Sequence, residues 1–123
     1  MTLTTIQLAA ILKAGKIMVL ADGKIERNEM LVLTHELIKF NVPKDNVQYL
    51  LELGDAMEAT VMLATLAGLE KEIKKYVAGY LATIMVCDGD IDDNEIKMWK
   101  LTCTLAGFPT MTLREALDYW KNH

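Results

Sequence analysis

The sequence predicts an all-α domain of about seven helices, and three observations support that fold class. Apolar residues recur at the i, i+3, i+4 spacing of an amphipathic helix along most of the chain. No stretch of the sequence alternates apolar and polar residues next to hairpin-turn residues, as an exposed sheet would. With 123 residues, 52% of them hydrophobic, the chain has the size and apolar content of one globular domain, 1–123.

Two helices are predicted ahead of Pro43. The first, over about 3–21, is apolar on nearly every side, so it should lie at the centre of the fold. The second is marked by an apolar stripe at helical spacing, formed by Met30, Leu33, Leu37 and Phe40. A third helix follows the proline turn.

A linking helix is predicted over about 56–67. Asp55 and Glu58 have the spacing of a capping box, and Gly54 and Gly68 stand where chain reversals are expected. This helix would join the two halves of the chain.

Three more helices are predicted in the second half. The first has charges in its opening turns and then a wide apolar face, made of Ile73, Tyr76, Val77, Tyr80, Leu81, Ile84 and Met85. The next carries the stripe Ile96, Trp99, Cys103 and Ala106. The last begins at a second capping box, Thr112 with Glu115.

An internal repeat organises these helices. The octapeptide DGKIERNE at 22–29 returns as DGDIDDNE at 88–95, an offset of 88 − 22 = 66 residues, and Pro43 falls on Pro109 at the same offset. The chain is therefore interpreted as two three-helix units, about 3–54 and 70–120, joined by the linking helix. Such a duplication predicts a pseudo-two-fold bundle, in which each unit buries its apolar face against the other.

The repeated octapeptide has a structural interpretation as a corner between helices. Asp-Gly lets the chain reverse after a helix, and Ile25 and Ile91 stand where a hydrophobic staple packs. Asp92 is placed as an N-cap with Glu95 three residues later.

A second interpretation is a cation site. Each octapeptide matches the second half of an EF-hand calcium loop, with Asp88 at the fifth position, Asp92 at the ninth and Glu95 at the twelfth. The acidic ligands of the first half are missing, because Ile84 and Val86 occupy their places, so a full EF-hand is excluded. The second copy has five acids in eight residues, Asp90 among them, and such close like charges favour a neutralising cation.

The paired turns, with an apolar helix before each and a proline turn after the next helix, resemble the signature of the TerB-like family. This family includes the tellurite-resistance protein TerB and the N-terminal region of the DjlA co-chaperones. The resemblance implies an all-helical bundle, membership of a family associated with tellurite resistance and other bacterial stress responses, and divalent-metal binding at the acidic turns. Carried over by position, the candidate ligands are Asp22, Glu26, Glu29, Asp88, Asp92 and Glu95, to which the charge argument adds Asp90. Carboxylate oxygens favour calcium or magnesium over zinc.

Other functional classes find less support in the sequence. A net charge of −4 argues against nucleic acid as the partner. No catalytic motif is present, so the chain is not expected to be an enzyme. The longest apolar run, 61–69, is too short for a membrane span, and Cys87 and Cys103 are expected to be buried free thiols of a cytoplasmic protein.

The alternative to a metal-binding domain is a metal-independent scaffold whose acidic turns are purely structural. In either case the expected partners are proteins, a second copy of the chain included. Lys71, Lys74 and Lys75 form a basic cluster that would either seat an acidic partner or simply solvate the start of a helix.

Overall fold

A computed structural model describes residues 3–20, 33, 35, 37, 40–86 and 93–122. Within these residues the protein has six α-helices and no strand, which confirms the all-α prediction. The helices are α1 (Thr5–Leu20), α2 (Val47–Ala56), α3 (Ala59–Ala67), α4 (Lys71–Val86), α5 (Asp93–Leu105) and α6 (Leu113–Asn122), with a short 3-10 helix (Lys44–Asn46) before α2. Much of the predicted second helix lies outside the described residues, although Leu33 and His35 have helical backbone.

Helix α1 lies at the centre of the bundle, as its composition predicts. It packs against α2, α3, α4 and α5, and Ile11 and Leu12 are completely buried. Its small residues allow close approach, since a Cβ added at Gly15 would lie 3.0 Å from Leu33 Cδ1 and 3.2 Å from Ile84 Cδ1.

The predicted capping box at Asp55 and Glu58 is wrong. Helix α2 continues through Gly54 and Asp55 to Ala56, and Glu58, which directly precedes α3, makes no side-chain capping hydrogen bond. The reason is packing: a Cβ at Gly54 would lie 2.9 Å from the carbonyl oxygen of Ala9, so the glycine serves helix contact rather than chain reversal.

Three other helix ends follow capping rules. The Thr112 and Glu115 box is confirmed, since the Thr112 N–H donates to Glu115 Oε1 at 2.9 Å and the Glu115 N–H to Thr112 Oγ1 at 3.1 Å. Thr4 and Gln7 make the same reciprocal pair at the start of α1, at 2.9 and 3.1 Å. Gly68 ends α3 as expected, with its N–H donating to the carbonyl of Ala64.

Helices α4 and α6 form the most extensive helix pair of the described residues. A Cβ at Gly79 would lie 2.6 Å from the carbonyl oxygen of Ala116 and 2.7 Å from Trp120 Cβ, so only glycine allows this separation. Trp120 belongs to an aromatic cluster with ring centroids 5.2–6.2 Å apart, which also contains Phe40, Tyr76, Tyr80 and Tyr119. This cluster joins α4, α6 and Phe40.

Two helix pairs have the same bounds at a shift of 66 residues. Helix α4 covers the residues of α1 moved by 71 − 5 = 66, and α6 covers those of α2 moved by 113 − 47 = 66. The described residues with positive φ are also separated by that shift, Asn41 at 60° and Gly107 at 68°. Both stand just before a buried residue and a proline, and asparagine and glycine are the residues that best tolerate this conformation.

Candidate functional site

Most of the predicted metal ligands lie outside the described residues. These are Asp22, Glu26, Glu29, Asp88, Asp90 and Asp92. Glu95 is described, and it lies in the first turn of α5. Among the residues that the structure describes, no group of three or more His, Cys, Asp or Glu side chains is placed to hold a metal ion.

Glu95 is a deeply buried carboxylate, with only 2% of its surface exposed. Glu115 occupies the same third position in α6 but is exposed to solvent, where its hydrogen bonds to Thr112 lower its carboxyl pKa. In this protein a glutamate at this position can therefore cap a helix while exposed to solvent, so capping alone does not require the burial of Glu95. Burying an ionised carboxylate costs free energy unless hydrogen-bond donors or a cation compensate for the lost water.

The helices that precede the two acidic segments meet near their C-terminal ends. Gly15 of α1 faces the side chain of Ile84 in α4, five residues before α1 ends at Leu20 and two before α4 ends at Val86. At a rise of 1.5 Å per residue and a helix separation of about 10 Å, Leu20 and Val86 lie within roughly 20 Å of each other. Helix α5, which carries Glu95 in its first turn, packs against both α1 and α4.

A separate feature is a cavity of about 270 Å³ between α4, α5 and the loop 106–112. Its apolar wall includes Ala78, Trp99, Phe108 and Met111, and the Trp99 Nε1–H donates to the carbonyl of Ala78 at 3.0 Å. Cys103 also lines it, and burial raises the pKa of its thiol to about 12, so the thiol is neutral at physiological pH.

The apolar pattern of the sequence gives no sign of this cavity. It predicts Trp99 and Cys103 on one core stripe; Trp99 is indeed buried, but Cys103, which lines the cavity, is only partly buried. The expectation for Cys87 falls outside the described residues.

The lysine cluster at the start of α4 is largely engaged by the protein itself. Lys74 Nζ donates to the carbonyl of Gly107 at 3.3 Å. Lys75 Nζ lies 3.6 Å from Glu72 Oε1 and 5.6 Å from the ring centroid of Tyr119. The Tyr119 hydroxyl donates to Glu72, and desolvation together with that carboxylate raises the Tyr119 pKa to about 12.

The architecture defines an all-α helical domain, and in its described part no helix is long and apolar enough to cross a membrane. No family model and no curated protein matches the chain. A crystal structure of a protein of unknown function from Porphyromonas gingivalis matches it with a TM-score of 0.90 and 48% sequence identity, over 99% of this chain and 92% of that one. The chain belongs to the same family as this Porphyromonas protein.

Proposed function

We propose that this protein is a TerB-like stress-response domain, of the kind associated with tellurite resistance, that weakly binds calcium or magnesium at its paired acidic turns. It acts in the cytoplasm through protein contacts and has no catalytic activity. The observation that carries the proposal is the burial of Glu95, which stands at the position where an EF-hand loop supplies both oxygens of a glutamate to the cation.

A duplicated unit with a pseudo-two-fold axis is part of this proposal. It is supported by the equal bounds of α1 and α4 and of α2 and α6 at the shift of 66 residues, and by the paired positive-φ residues Asn41 and Gly107. An axis of this kind places equivalent turns at equivalent positions around it.

The alternative is a metal-independent scaffold whose acidic turns only cap helices. It is favoured by the position of Glu95, the third residue of α5, which is where a capping glutamate stands. The pairs Thr4–Gln7 and Thr112–Glu115 demonstrate that this chain uses the same device elsewhere.

A metal titration followed by NMR separates the two functions. Calcium and magnesium should each shift the amide signals of 22–29 and 88–95 with an affinity of about 10⁻⁴–10⁻³ M, as in weak calcium modules. Glu95→Gln should abolish the shifts, because an amide keeps the capping geometry but not the charge. Glu115→Gln, at the matched position of α6, should leave them unchanged.

Two results would contradict the metal site. One is a wild-type spectrum that neither ion alters, and the other is an unchanged response in Glu95→Gln. Either would leave the scaffold as the function, and its partner would then be sought by pull-down from native cells in the presence of a chelator.

A further inference from the structure

Two residues of the cavity wall, Ala78 and Cys103, are smaller than their counterparts in the first half of the chain. Moved by 66 residues, Leu12 corresponds to Ala78 and Leu37 to Cys103. Both leucines are at most 1% exposed, so in the first half of the chain these positions are filled by larger buried side chains. The second half has the same helix bounds but less side-chain volume at these two positions.

Among the described residues that line the cavity, the charged side chain is that of Lys100, whereas Glu115 and Asp118 line a neighbouring pocket that shares Pro109, Thr110 and Met111. Lys74 is held beside the cavity by the carbonyl of Gly107, the residue before Phe108. No aspartate or glutamate is among the described residues that line the cavity itself. A concave apolar site with a cation at its edge favours an amphipathic anion.

The side chains that line the cavity also indicate that the apolar part of such a ligand is aromatic. Trp99 and Phe108 offer aromatic rings, and Met111 offers a thioether that contacts rings favourably. A dry cavity of about 150 Å³ in another protein accepts benzene. A cavity of about 270 Å³ is therefore large enough for a two-ring body.

We propose that this cavity is a binding site for a small aromatic carboxylate, with the rings against Trp99 and Phe108 and the carboxylate at Lys100. The site is separate from the acidic turns. Its function does not depend on whether those turns bind a metal.

The proposal is tested with 2-naphthoate as the probe and 2-naphthalenemethanol as its neutral counterpart. The protein has two tryptophans, so two indole N–H signals report binding in an NMR titration. Naphthoate should shift the Trp99 signal in a saturable manner and leave that of Trp120, which lies in the aromatic cluster, in place. The alcohol should bind more weakly.

Three variants assign the contacts. Lys100→Gln should weaken naphthoate binding by about two- to five-fold, the value of an exposed ion pair, without changing the affinity for the alcohol. Lys97→Gln, on an exposed position of the same helix, is the matched control and should bind like wild type. Cys103→Leu introduces the residue of the first half and should weaken both ligands by about ten-fold or more, because the larger side chain takes up part of the space that the ligand needs.

Four results would overturn the site: no shift of Trp99, equal affinities for acid and alcohol in wild type, wild-type naphthoate binding by Lys100→Gln, or wild-type binding by Cys103→Leu. Unchanged helicity and an unchanged Trp120 signal in each variant show that the fold is intact. Lys100→Gln keeps the test decisive if Cys103→Leu does not fold.

Discussion

The helix pairs α1–α2 and α4–α6 have equal bounds after a shift of 66 residues, but the glycine that allows close contact lies on opposite members of the two pairs. In the first pair the glycine is on the second helix, where Gly54 meets Lys13 of α1. In the second pair the glycine is on the first helix, where Gly79 meets Trp120 of α6. Positions 13 and 79, and positions 54 and 120, are related by the shift of 66 residues.

Because the glycine changes from one helix of the pair to the other, we infer that the distance between the two helices is constrained, and not the residue type at either position. One partner must lack a Cβ, and the other then has room for a large side chain. The surroundings differ accordingly. The first pair closes at the surface with an ion pair, Lys16 Nζ to Asp55 Oδ1 at 2.9 Å, whereas the second closes with the aromatic cluster.

The largest expected effect comes from removing the large partner of the second pair. Trp120→Ala should lower the free energy of unfolding by about 3–5 kcal/mol, because it deletes a buried ring that contacts Phe40, Tyr76 and Tyr80. Chemical denaturation measures the change. Tyr49→Ala, at a residue that is 59% exposed, is the control and should stay within about 0.5 kcal/mol of wild type.

The two glycines should respond unequally to the same substitution. Gly79→Ala should destabilise by about 2–3 kcal/mol, because its new Cβ would meet a backbone oxygen and Trp120 Cβ at under 3 Å. Gly54→Ala should cost less, about 1–2 kcal/mol, since only one such contact falls under 3 Å there. Equal losses of stability in the two variants, measured by thermal unfolding, would contradict this prediction and mean that the two interfaces accommodate a Cβ equally well.

The smallest expected loss of stability comes from removing the N-cap threonine at the start of α6 or of α1. Thr112→Ala should lower the free energy of unfolding by about 1 kcal/mol, the usual value of an N-cap. It should also raise the carboxyl pKa of Glu115 part of the way to its ordinary value, because the side-chain bond is lost and the backbone bond remains. Thr4→Ala removes the equivalent cap of α1, whose partner Gln7 does not titrate.

The pH dependence distinguishes these two variants. The folded pKa of Glu115 is lowered, so its contribution is present above the unfolded pKa and is lost as the pH falls through the folded pKa. The deficit of Thr112→Ala should therefore shrink on acidification below the ordinary glutamate pKa, while that of Thr4→Ala should stay constant. Denaturation at several pH values, with NMR titration of Glu115, is the measurement. Parallel profiles for the two variants would contradict this assignment.

Apolar periodicity and capping motifs were sufficient to predict the features that are determined within a single helix. The central place of α1 and the cap at Thr112 are of this kind, because apolar spacing and capping chemistry act within one helix. The Asp55–Glu58 box failed because tertiary contact overrode it: Gly54 is needed against Ala9, and the helix therefore runs through it. The residues around Gly54 are compatible both with a capping box and with a continuous helix, so the sequence alone does not distinguish the two.

The cavity could not be predicted from the apolar pattern. Alanine and cysteine satisfy a core stripe as well as leucine does, and only volume distinguishes them. The one available signal was the repeat itself, since Leu12 and Leu37 stand where Ala78 and Cys103 recur. The predicted cation ligands are mostly outside the described residues, so for them the sequence prediction stands as a hypothesis.

The desolvated sulfur of Cys103 has a practical consequence for anyone handling this protein. With a thiol pKa of about 12, roughly one molecule in 10⁵ carries the reactive thiolate at pH 7. Alkylating reagents will therefore modify this side chain slowly in the native state and quickly once α5 detaches. In a Cys87→Ser variant, which leaves Cys103 as the single thiol, the rate of labelling would measure local opening of that helix.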